Sequence, residues 1–285
     1  MKRHKICKII FAILAVFLCV AFYELIGICV TYKKQPAVSD ATIKETQNIM
    51  SVAGRENTER AVIIEKNSQA LLERVRLIQN AKDEIILSTF AFKSDESGKL
   101  ILGALHDAAD RGVHVRILVD GMESWIDMEG NPYFYGLSSH ENVEIKLYNK
   151  ANPLKPWKTM GRMHDKYLIA DGKIYILGGR NTYNYFLGDF PGHKNFDRDV
   201  LVVCDEPQKD NSVNQLWNYF ETIWEQEDCR YFHNSKKLAD RQSVKKAVLE
   251  LQEGYQQYFE VNKEKICDTA VSYTHLRAHE TLRHL

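Results

Sequence analysis

The chain has 285 residues, of which 45% are hydrophobic and 27% charged, so it has room for one large domain or two small ones. This composition excludes a wholly disordered chain, a collagen-like repeat and a polytopic transporter. The 38 Lys and Arg balance the 38 Asp and Glu, but residues 35–270 hold 30 basic and 36 acidic side chains, a net charge of −6. This acidic body argues against nucleic acid as a partner, because phosphate neutralisation needs surplus Lys and Arg.

The N-terminal residues 1–34 predict a basic cytoplasmic stub followed by a transmembrane anchor. Ile9–Val30 is almost continuously apolar, and a helix of this length spans about 33 Å, enough to cross a bilayer core of about 30 Å. Four Lys or Arg precede the span and two follow it, so the positive-inside rule places the remainder of the chain outside the cell. A cleaved secretory signal is the alternative, but the apolar stretch is long for one.

Residues 35–60 are polar and mixed, and we interpret them as a linker. Residues 61–235 then alternate helical and strand patterns, with helices that begin near Asn67 and Ser97 and a third that carries Trp217. Strands are expected at residues 84–92, 113–120, 142–148, 164–171, 173–177 and 199–204. Strands that alternate with helices predict an α/β sandwich formed by one domain.

The C-terminal part of the chain changes character twice. Residues 236–270 are interpreted as a helical connector. Residues 271–285 read VSYTHLRAHETLRHL, which resembles translated adaptor or vector sequence more than a folded segment. We therefore expect a non-native tail and a natural protein that continues beyond residue 270.

One group of residues carries recognisable chemistry. His164, Lys166 and Asp171 form the pattern H-x-K-x-x-x-x-D, and Gly178-Gly179-Arg180-Asn181 follows after six residues. In a strand, His164 and Lys166 would point to the same face, where an imidazole could attack phosphorus while an ammonium binds the non-bridging oxygens. The two glycines let the backbone approach a phosphate, and Asn181 can donate its amide. Asp171 faces the other way, so we expect it to tie the end of the strand to neighbouring backbone.

This pattern resembles the H-x-K-x₄-D-x₆-G-[GS]-x-N motif of the phospholipase D superfamily, matched without a gap from His164 to Asn181. The segment SQALLERVRLIQNAKDEIILSTFAFKSDESGKLILGALHDAADRGVHVRILVDG is similar to the opening of bacterial cardiolipin synthase-like members. The resemblance covers about residues 60–230 and makes residues 61–235 the catalytic domain. It implies a mixed sheet flanked by helices, one half of a pseudo-twofold pair, preceded here by the transmembrane helix.

The resemblance also implies a role for each matched residue. His164 would be the nucleophile that forms a phosphohistidine, while Lys166 and Asn181, with Gly178 and Gly179, would bind the phosphoryl oxygens. Asp171 completes the catalytic motif by position. In Asn195-Phe196-Asp197 an acid follows the pattern N-[FY], so Asp197 is the candidate that orients His164 through its other ring nitrogen, with Asp199 in reserve. No metal and no cofactor is implied, since lysine supplies the positive charge.

The chain departs from the family in one respect, because members need two such motifs and no second H-x-K occurs here. The missing half would come from a lost C-terminal region, which we favour, or from a second chain. The expected function is a membrane-anchored phosphatidyltransferase of cardiolipin synthase type acting on a phosphatidylglycerol-like phospholipid, on the outer face of the cell membrane. The alternatives are a single-motif dimeric phosphodiesterase or nuclease and a catalytically inactive tethered fragment.

Overall fold

The computed structural model describes residues 2–33, 39–41, 43–44, 59–150, 152, 157, 160–204 and 211–267. The helices of these residues are α1 (Lys2–Lys33), α2 (Asn67–Asn80), α3 (Glu96–Asp110), α4 (Gly121–Asp127), α5 (Pro132–Ser138), α6 (Ser212–Trp224), α7 (Lys236–Ala239) and α8 (Gln242–Cys267). The strands are β1 (Glu59–Ile64), β2 (Glu84–Thr89), β3 (His114–Asp120), β4 (Val143–Tyr148), β5 (Lys166–Ala170), β6 (Ile174–Gly178), β7 (Asp199–Cys204) and β8 (Cys229–Tyr231).

The chain divides into two compact units, and the first comprises residues 1–56 and 151–161. Its helix α1 contains one stretch, Lys5–Val30, that is long and apolar enough to cross a membrane. This stretch has a mean hydropathy of 2.7 and contains no buried residue. A secretory signal would share these properties. Within this unit the ring of Trp157 packs edge-on against Tyr23 at 5.1 Å between centroids, over the position of Gly27.

The second unit, residues 57–150 and 162–285, is built on an eight-stranded sheet with the order β1-β7-β6-β5-β2-β3-β4-β8. Strands β2, β3 and β4 are parallel to one another, and every other pairing is antiparallel. Helix α3 connects β2 to β3, because a parallel connection requires a crossover. The sheet therefore joins a parallel half to an antiparallel half, and β2 and β5 are the strands that meet.

The two faces of the sheet are covered differently. On the first face, the strand residues pack with α2, α3, α5 and α8 in one core that includes Leu87, Ile117 and Leu168. On the second face, the alternate strand residues, among them Ile86 and Ile169, pack mainly under α6. Because successive side chains of a strand point to opposite faces, the central strands carry buried apolar residues on both faces of the sheet.

Helix α8 shows how closely the first layer is packed. A Cβ on Gly103 of α3 would come within 2.6 Å of the carbonyl oxygen of Leu251 and within 2.8 Å of Tyr255, so only glycine fits this helix crossing. At the far end of α8, Asn80 donates its side-chain amide to the carbonyl oxygen of Ile266 at 2.9 Å. The segment 236–270, which we interpreted as a connector, thus contributes buried residues to the core. Most of the 35–60 linker and all of the 271–285 tail lie outside the described residues.

The predicted α/β architecture, a mixed sheet flanked by helices after one N-terminal apolar helix, is confirmed. The sequence did not predict strands β1 and β8 or the short helices α4 and α5. The strand expected at residues 164–171 begins only at Lys166, so His164 lies two residues before it, but the two side chains lie side by side as expected, with Lys166 Nζ 3.2 Å from His164 Nδ1.

Candidate active site

The motif residues lie at one end of the sheet because of the strand directions. Strand β5 runs antiparallel to β2, so Lys166 at its start pairs with Thr89 at the end of β2. In the same way Gly178 at the end of β6 pairs with Asp199 at the start of β7. We call this end of the sheet, where β2 and β3 finish and β5 and β7 start, the motif end.

His164 and Lys166 contact each other at the motif end. The Lys166 Nζ lies 3.2 Å from Nδ1 of His164 and donates to the carbonyl oxygen of the same residue at 2.8 Å. The His164 residue is exposed, whereas Lys166 is only 6% exposed. The result is an accessible imidazole beside a largely buried amine, with Nδ1 engaged and the Nε2 edge of the ring left for a reacting group.

Burial lowers the pKa of Lys166, and the negative charges of Asp165 and Asp197 act in the opposite direction. The Asp197 carboxylate therefore lies within electrostatic reach of the lysine. The sequence predicted Asp197 as a partner of His164, and among the described contacts it is Lys166 that meets Nδ1. The role of Asp197 in orienting the imidazole stays a prediction.

Two side chains that the sequence did not single out complete the surroundings of His164. The Phe90 ring, directly after β2, lies against the imidazole with 4.6 Å between centroids. The guanidinium of Arg162 lies 4.9 Å from the centre of the same ring, and Lys166 Nζ lies 5.3 Å from it. Phe90 thus links three nitrogen-bearing side chains of the site. The only sequence signal that could have identified Phe90 was its position at the end of a predicted buried strand.

Asp120, at the end of β3, fixes the segment that leads into His164. This carboxylate is 1% exposed. Its Oδ2 accepts from the backbone N–H of Met163 at 3.1 Å, and its Oδ1 accepts from Arg162 Nε at 2.9 Å and caps helix α4. The hydrogen bond that Arg162 donates to Asp120 raises the pKa of Arg162, so the guanidinium stays charged. Asp120 therefore positions the backbone one residue before His164, and the sequence analysis missed it.

The two motif glycines are required by their neighbours in the fold. A Cβ on Gly178 would lie 2.0 Å from Asp199 Oδ1 and 2.6 Å from the carbonyl oxygen of Arg198. A Cβ on Gly179 would lie 2.0 Å from Asp197 Oδ2. The absent side chains thus let the Asp197–Asp199 segment approach β6, whereas their predicted contribution to phosphate binding stays a prediction.

Arg180, between the glycines and Asn181, is the largest fully buried side chain among the described residues. It donates to the carbonyl oxygens of Ile64 and Glu65 and to that of Asp197. Its guanidinium and that of Arg74 both pair with Asp199 Oδ2, at 3.3 Å and 2.9 Å. Arg180 therefore ties the segment that carries Asp197 to the turn between β1 and α2.

Asn181 and Asp171 occupy different parts of the structure. Asn181 is 7% exposed, and its Oδ1 accepts from the backbone N–H of Ala91 at 3.2 Å, which leaves the amide hydrogens as the part able to donate to a phosphoryl oxygen. Asp171 follows the opposite end of β5, about 16 Å along the strand from Lys166. Its carboxylate accepts from the backbone N–H groups of Lys82, Asp83 and Glu84. The structure does not bring Asp171 to the motif end.

Within the described residues, no group of three or more His, Cys, Asp or Glu side chains is arranged to hold a metal ion. The charged groups described above at the motif end instead include Lys166, three arginines and three aspartates, namely Arg74, Arg162, Arg180, Asp120, Asp197 and Asp199. Their chemistry suits an anionic substrate with oxygens that accept hydrogen bonds.

Known proteins resemble this chain in sequence and fold. An uncharacterized protein of Helicobacter pylori is 33% identical over 181 residues, covering 59% of this chain and 35% of the relative. Cardiolipin synthase C of Escherichia coli is 29% identical over 154 residues, covering 49% of this chain and 31% of the relative. The solved structure of phosphatidylserine synthase from Haemophilus influenzae superposes with a TM-score of 0.51 at 15% identity, over 76% of this chain and 48% of that one, which supports the fold.

The chain thus matches about a third of the length of these two sequence relatives. The profile of the family described as "Cardiolipin synthase, PLD-like domain" matches residues 75–224, which is more than half of the chain and includes the whole motif from His164 to Asn181. The protein therefore belongs to the phospholipase D superfamily, as a cardiolipin synthase-like member.

Proposed function

We propose that the protein is a phosphatidyltransferase of cardiolipin synthase type that acts through a phosphohistidine on His164. The observation that carries the proposal is the contact between the exposed imidazole and the buried Lys166 amine, 3.2 Å apart at the end of the sheet. An amine in this position can bind the non-bridging oxygens of a phosphodiester whose phosphorus faces Nε2. The family membership supports a phosphoryl-transfer reaction.

In the first step, the lone pair of Nε2 forms a bond to phosphorus and the bond from phosphorus to the leaving alcohol breaks. The lone pair is available on Nε2 only when the ring proton resides on Nδ1. The substrate phosphate would draw the Lys166 ammonium to its own oxygens, the ring proton would move from Nε2 to Nδ1, and Nδ1–H would then donate to a carboxylate, for which Asp197 is our candidate. Asn181 and the backbone at Gly178 and Gly179 would add donors to the phosphoryl oxygens.

In the second step, an acceptor alcohol attacks the phosphohistidine, the bond between phosphorus and nitrogen breaks, and the free imidazole is restored. With water as acceptor, the same step gives hydrolysis. The leaving alcohol of the first step needs a proton, which a second histidine would donate, and the same histidine would take the proton of the acceptor in the second step. That histidine belongs to a second motif half, which we place in a further C-terminal region or in a second chain.

The proposed substrate is a phosphatidylglycerol-like phospholipid, and the proposed location is the cell membrane. Helix α1 would anchor the chain as a single span with its N-terminus in the cytoplasm, so that the PLD-like domain meets lipids of the outer face. The length and apolar character of Lys5–Val30 support an anchor.

The test uses a substrate that needs no second histidine. Phosphatidyl-p-nitrophenol carries a leaving group that departs without protonation, so the full chain in lipid nanodiscs should form a phosphohistidine even without the second half. We expect release of p-nitrophenol and a base-stable radiolabel from the phosphatidyl group on the protein. His164→Ala should lose both, while His193→Ala, which removes another exposed histidine, should retain both.

A label that survives in His164→Ala would contradict the assignment of the nucleophile. A p-nitrophenyl nucleotide ester serves as the parallel substrate. Faster turnover of the nucleotide ester than of the lipid ester would favour a nuclease over the phosphatidyltransferase.

A further inference from the structure

Trp125, Ile126 and Phe196 are three of the large apolar side chains that are exposed toward the motif end in the second unit. Trp125 and Ile126 on α4 are 61% and 64% exposed, and Phe196 is 80% exposed. We call these three residues the apolar rim. Trp125 and Ile126 follow Asp120 by five and six residues, and Phe196 directly precedes Asp197. Their exposure is unusual because side chains of this size are normally buried on folding.

Helix α4 is attached to the site by direct contacts. It begins at Gly121, directly after the carboxylate of Asp120 that positions the backbone before His164. One turn into the helix, Glu123 Oε1 accepts from Arg162 at 2.9 Å. Arg162 in turn packs on Phe90, whose ring contacts the imidazole. The exposed residues of α4 therefore belong to a segment that is fixed relative to His164.

Helix α4 exposes its two largest apolar side chains. Its buried positions are Gly121 and Ser124, followed by the buried Met128 that caps its C-terminus, and Asp127 pairs with Lys93 at 3.6 Å. Its outward positions carry Trp125 and Ile126. An amphipathic helix on a soluble domain places its apolar residues toward the core. The exposed Trp125 and Ile126 make the outer face of α4 suited to an apolar environment.

Phe196 is the counterpart on the β7 side of the site. It precedes Asp197, and a Cβ at the neighbouring Gly179 would touch that carboxylate. Arg198 follows, with 74% of its side chain exposed, and it forms one exposed ion pair with Glu65. An aromatic ring beside an exposed cation is complementary to the boundary between anionic headgroups and acyl chains.

We propose that the apolar rim inserts into the headgroup–acyl boundary of an anionic phospholipid bilayer and so presents lipid phosphates to His164. The inference rests on the proposed function, because a bilayer phosphodiester lies at the headgroup level and an exposed His164 can reach it only if the motif end faces that level. Trp125 would then lie at the depth that tryptophan prefers at membrane interfaces. Interfacial side chains are buried by about 5–10 Å.

The experiment measures the depth of single positions in the full chain, reconstituted in phosphatidylglycerol and phosphatidylcholine vesicles with or without dibrominated acyl chains. The fluorescence of Trp125 is obtained as the difference in tryptophan emission between the wild type and Trp125→Phe. Phe196→Trp adds a second probe at a residue whose exposure makes the exchange compatible with folding. The control is Val261→Trp, because Val261 on α8 is 86% exposed and lies five residues before Ile266, which contacts the end of α2 away from the motif end.

We expect brominated chains to remove roughly half of the emission of Trp125 and of the probe at position 196, given a depth of about 5–10 Å, and to leave the control probe nearly unchanged. Equal emission of both rim probes in brominated and unbrominated vesicles would overturn the proposal. Emission that is blue-shifted but unquenched would also overturn it, in favour of burial against a second protein chain or half. If the preceding test gave no phosphohistidine but both rim probes were quenched, the proposed phosphatidyl transfer would be contradicted and the insertion of the apolar rim into lipid would be supported.

Discussion

The aspartates at the two ends of the sheet bind different kinds of groups. At the end near Asp171, one carboxylate accepts three successive backbone N–H groups from the turn between α2 and β2, and the residue adopts a left-handed φ of 52°. At the motif end, Asp120 and Asp199 each join side chains or backbone from segments distant in the sequence. One end is closed by a single residue, whereas the other is assembled from β3, β5, β6, β7 and the turn before α2.

This difference separates folding from chemistry within one sequence motif. Asp171 satisfies backbone donors and contributes to the stability of a turn. His164 and Lys166, at the other end of the same short segment, contribute little that the fold requires, since the imidazole is exposed and the amine loses hydration. Substitution of Asp171 and substitution of His164 or Lys166 should therefore change different measurements.

The largest effect on stability is expected from Asp199→Ala at the motif end. The substitution leaves two buried guanidinium groups, those of Arg74 and Arg180, without their shared carboxylate. Breaking a buried ion pair in this way costs about 3–5 kcal/mol. Urea unfolding of the detergent-solubilised chain measures the loss, and an unchanged free energy of unfolding would show that the two arginines do not depend on Asp199.

Asp171→Ala should reduce stability less than Asp199→Ala, and it tests whether Asp171 contributes to folding and not to the chemistry at His164. Its three backbone donors are at most partly buried, so water replaces some of the lost bonds, and we expect a loss of about 1–3 kcal/mol in the free energy of unfolding. The yield of phosphohistidine on His164 should stay at the wild-type level in the folded fraction. A loss of label without a loss of stability would place Asp171 in the chemistry.

Gly179→Ala tests the motif end with a single methyl group. The new Cβ meets the end of the Asp197 side chain, which can move, so we expect a change below about 1 kcal/mol in the free energy of unfolding and a clear fall in the rate of labelling. Gly178→Ala is the matched variant, because there the methyl meets backbone atoms of Arg198 and Asp199. The second variant should lose more stability than the first; the reverse order would contradict the packing.

The smallest effect is a pH dependence from Lys166. Burial lowers its pKa in the folded chain, so above that pKa the unfolded chain binds more protons and stability rises with pH until the ordinary value of 10.5 is reached. Lys166→Met should remove this rise while retaining the volume of the side chain. The measurement is the difference in the free energy of unfolding between wild type and variant across the alkaline range, and a difference that is independent of pH would contradict the shifted pKa.

Most of the fold could be predicted from the sequence, because its central strands and long helices have strong periodicity. The apolar run at Ile85–Leu87 and the alternation at Val115–Val119 predict strands without tertiary information. Strand β1 was missed since its partner, β7, lies more than a hundred residues away and its exposed edge carries charged residues. The short helices α4 and α5 have too few residues to show a period.

The site could be predicted only in part. The spacing of His164, Lys166 and Asn181 identifies the motif, but Asp120, Phe90 and Arg162 became visible only through the pairing of β2 with β3 and β5. The neighbours of Gly178 and Gly179 come from a segment about 18 residues later in the chain, so no local pattern could reveal that Asp197 and Asp199 occupy the space of the missing side chains.

The junction of β2 and β5 has a consequence for how the protein opens. Residues 84–148 contain the parallel strands β2, β3 and β4, residues 166–204 contain the antiparallel strands β5, β6 and β7, and each segment is continuous in the chain. Such segments resemble the cooperative units that exchange amide hydrogens independently. Because the Phe90–His164 contact crosses the junction, a fluctuation that parts the two segments would separate residues of the candidate site. We therefore expect the arrangement of the candidate site to be lost in openings smaller than global unfolding.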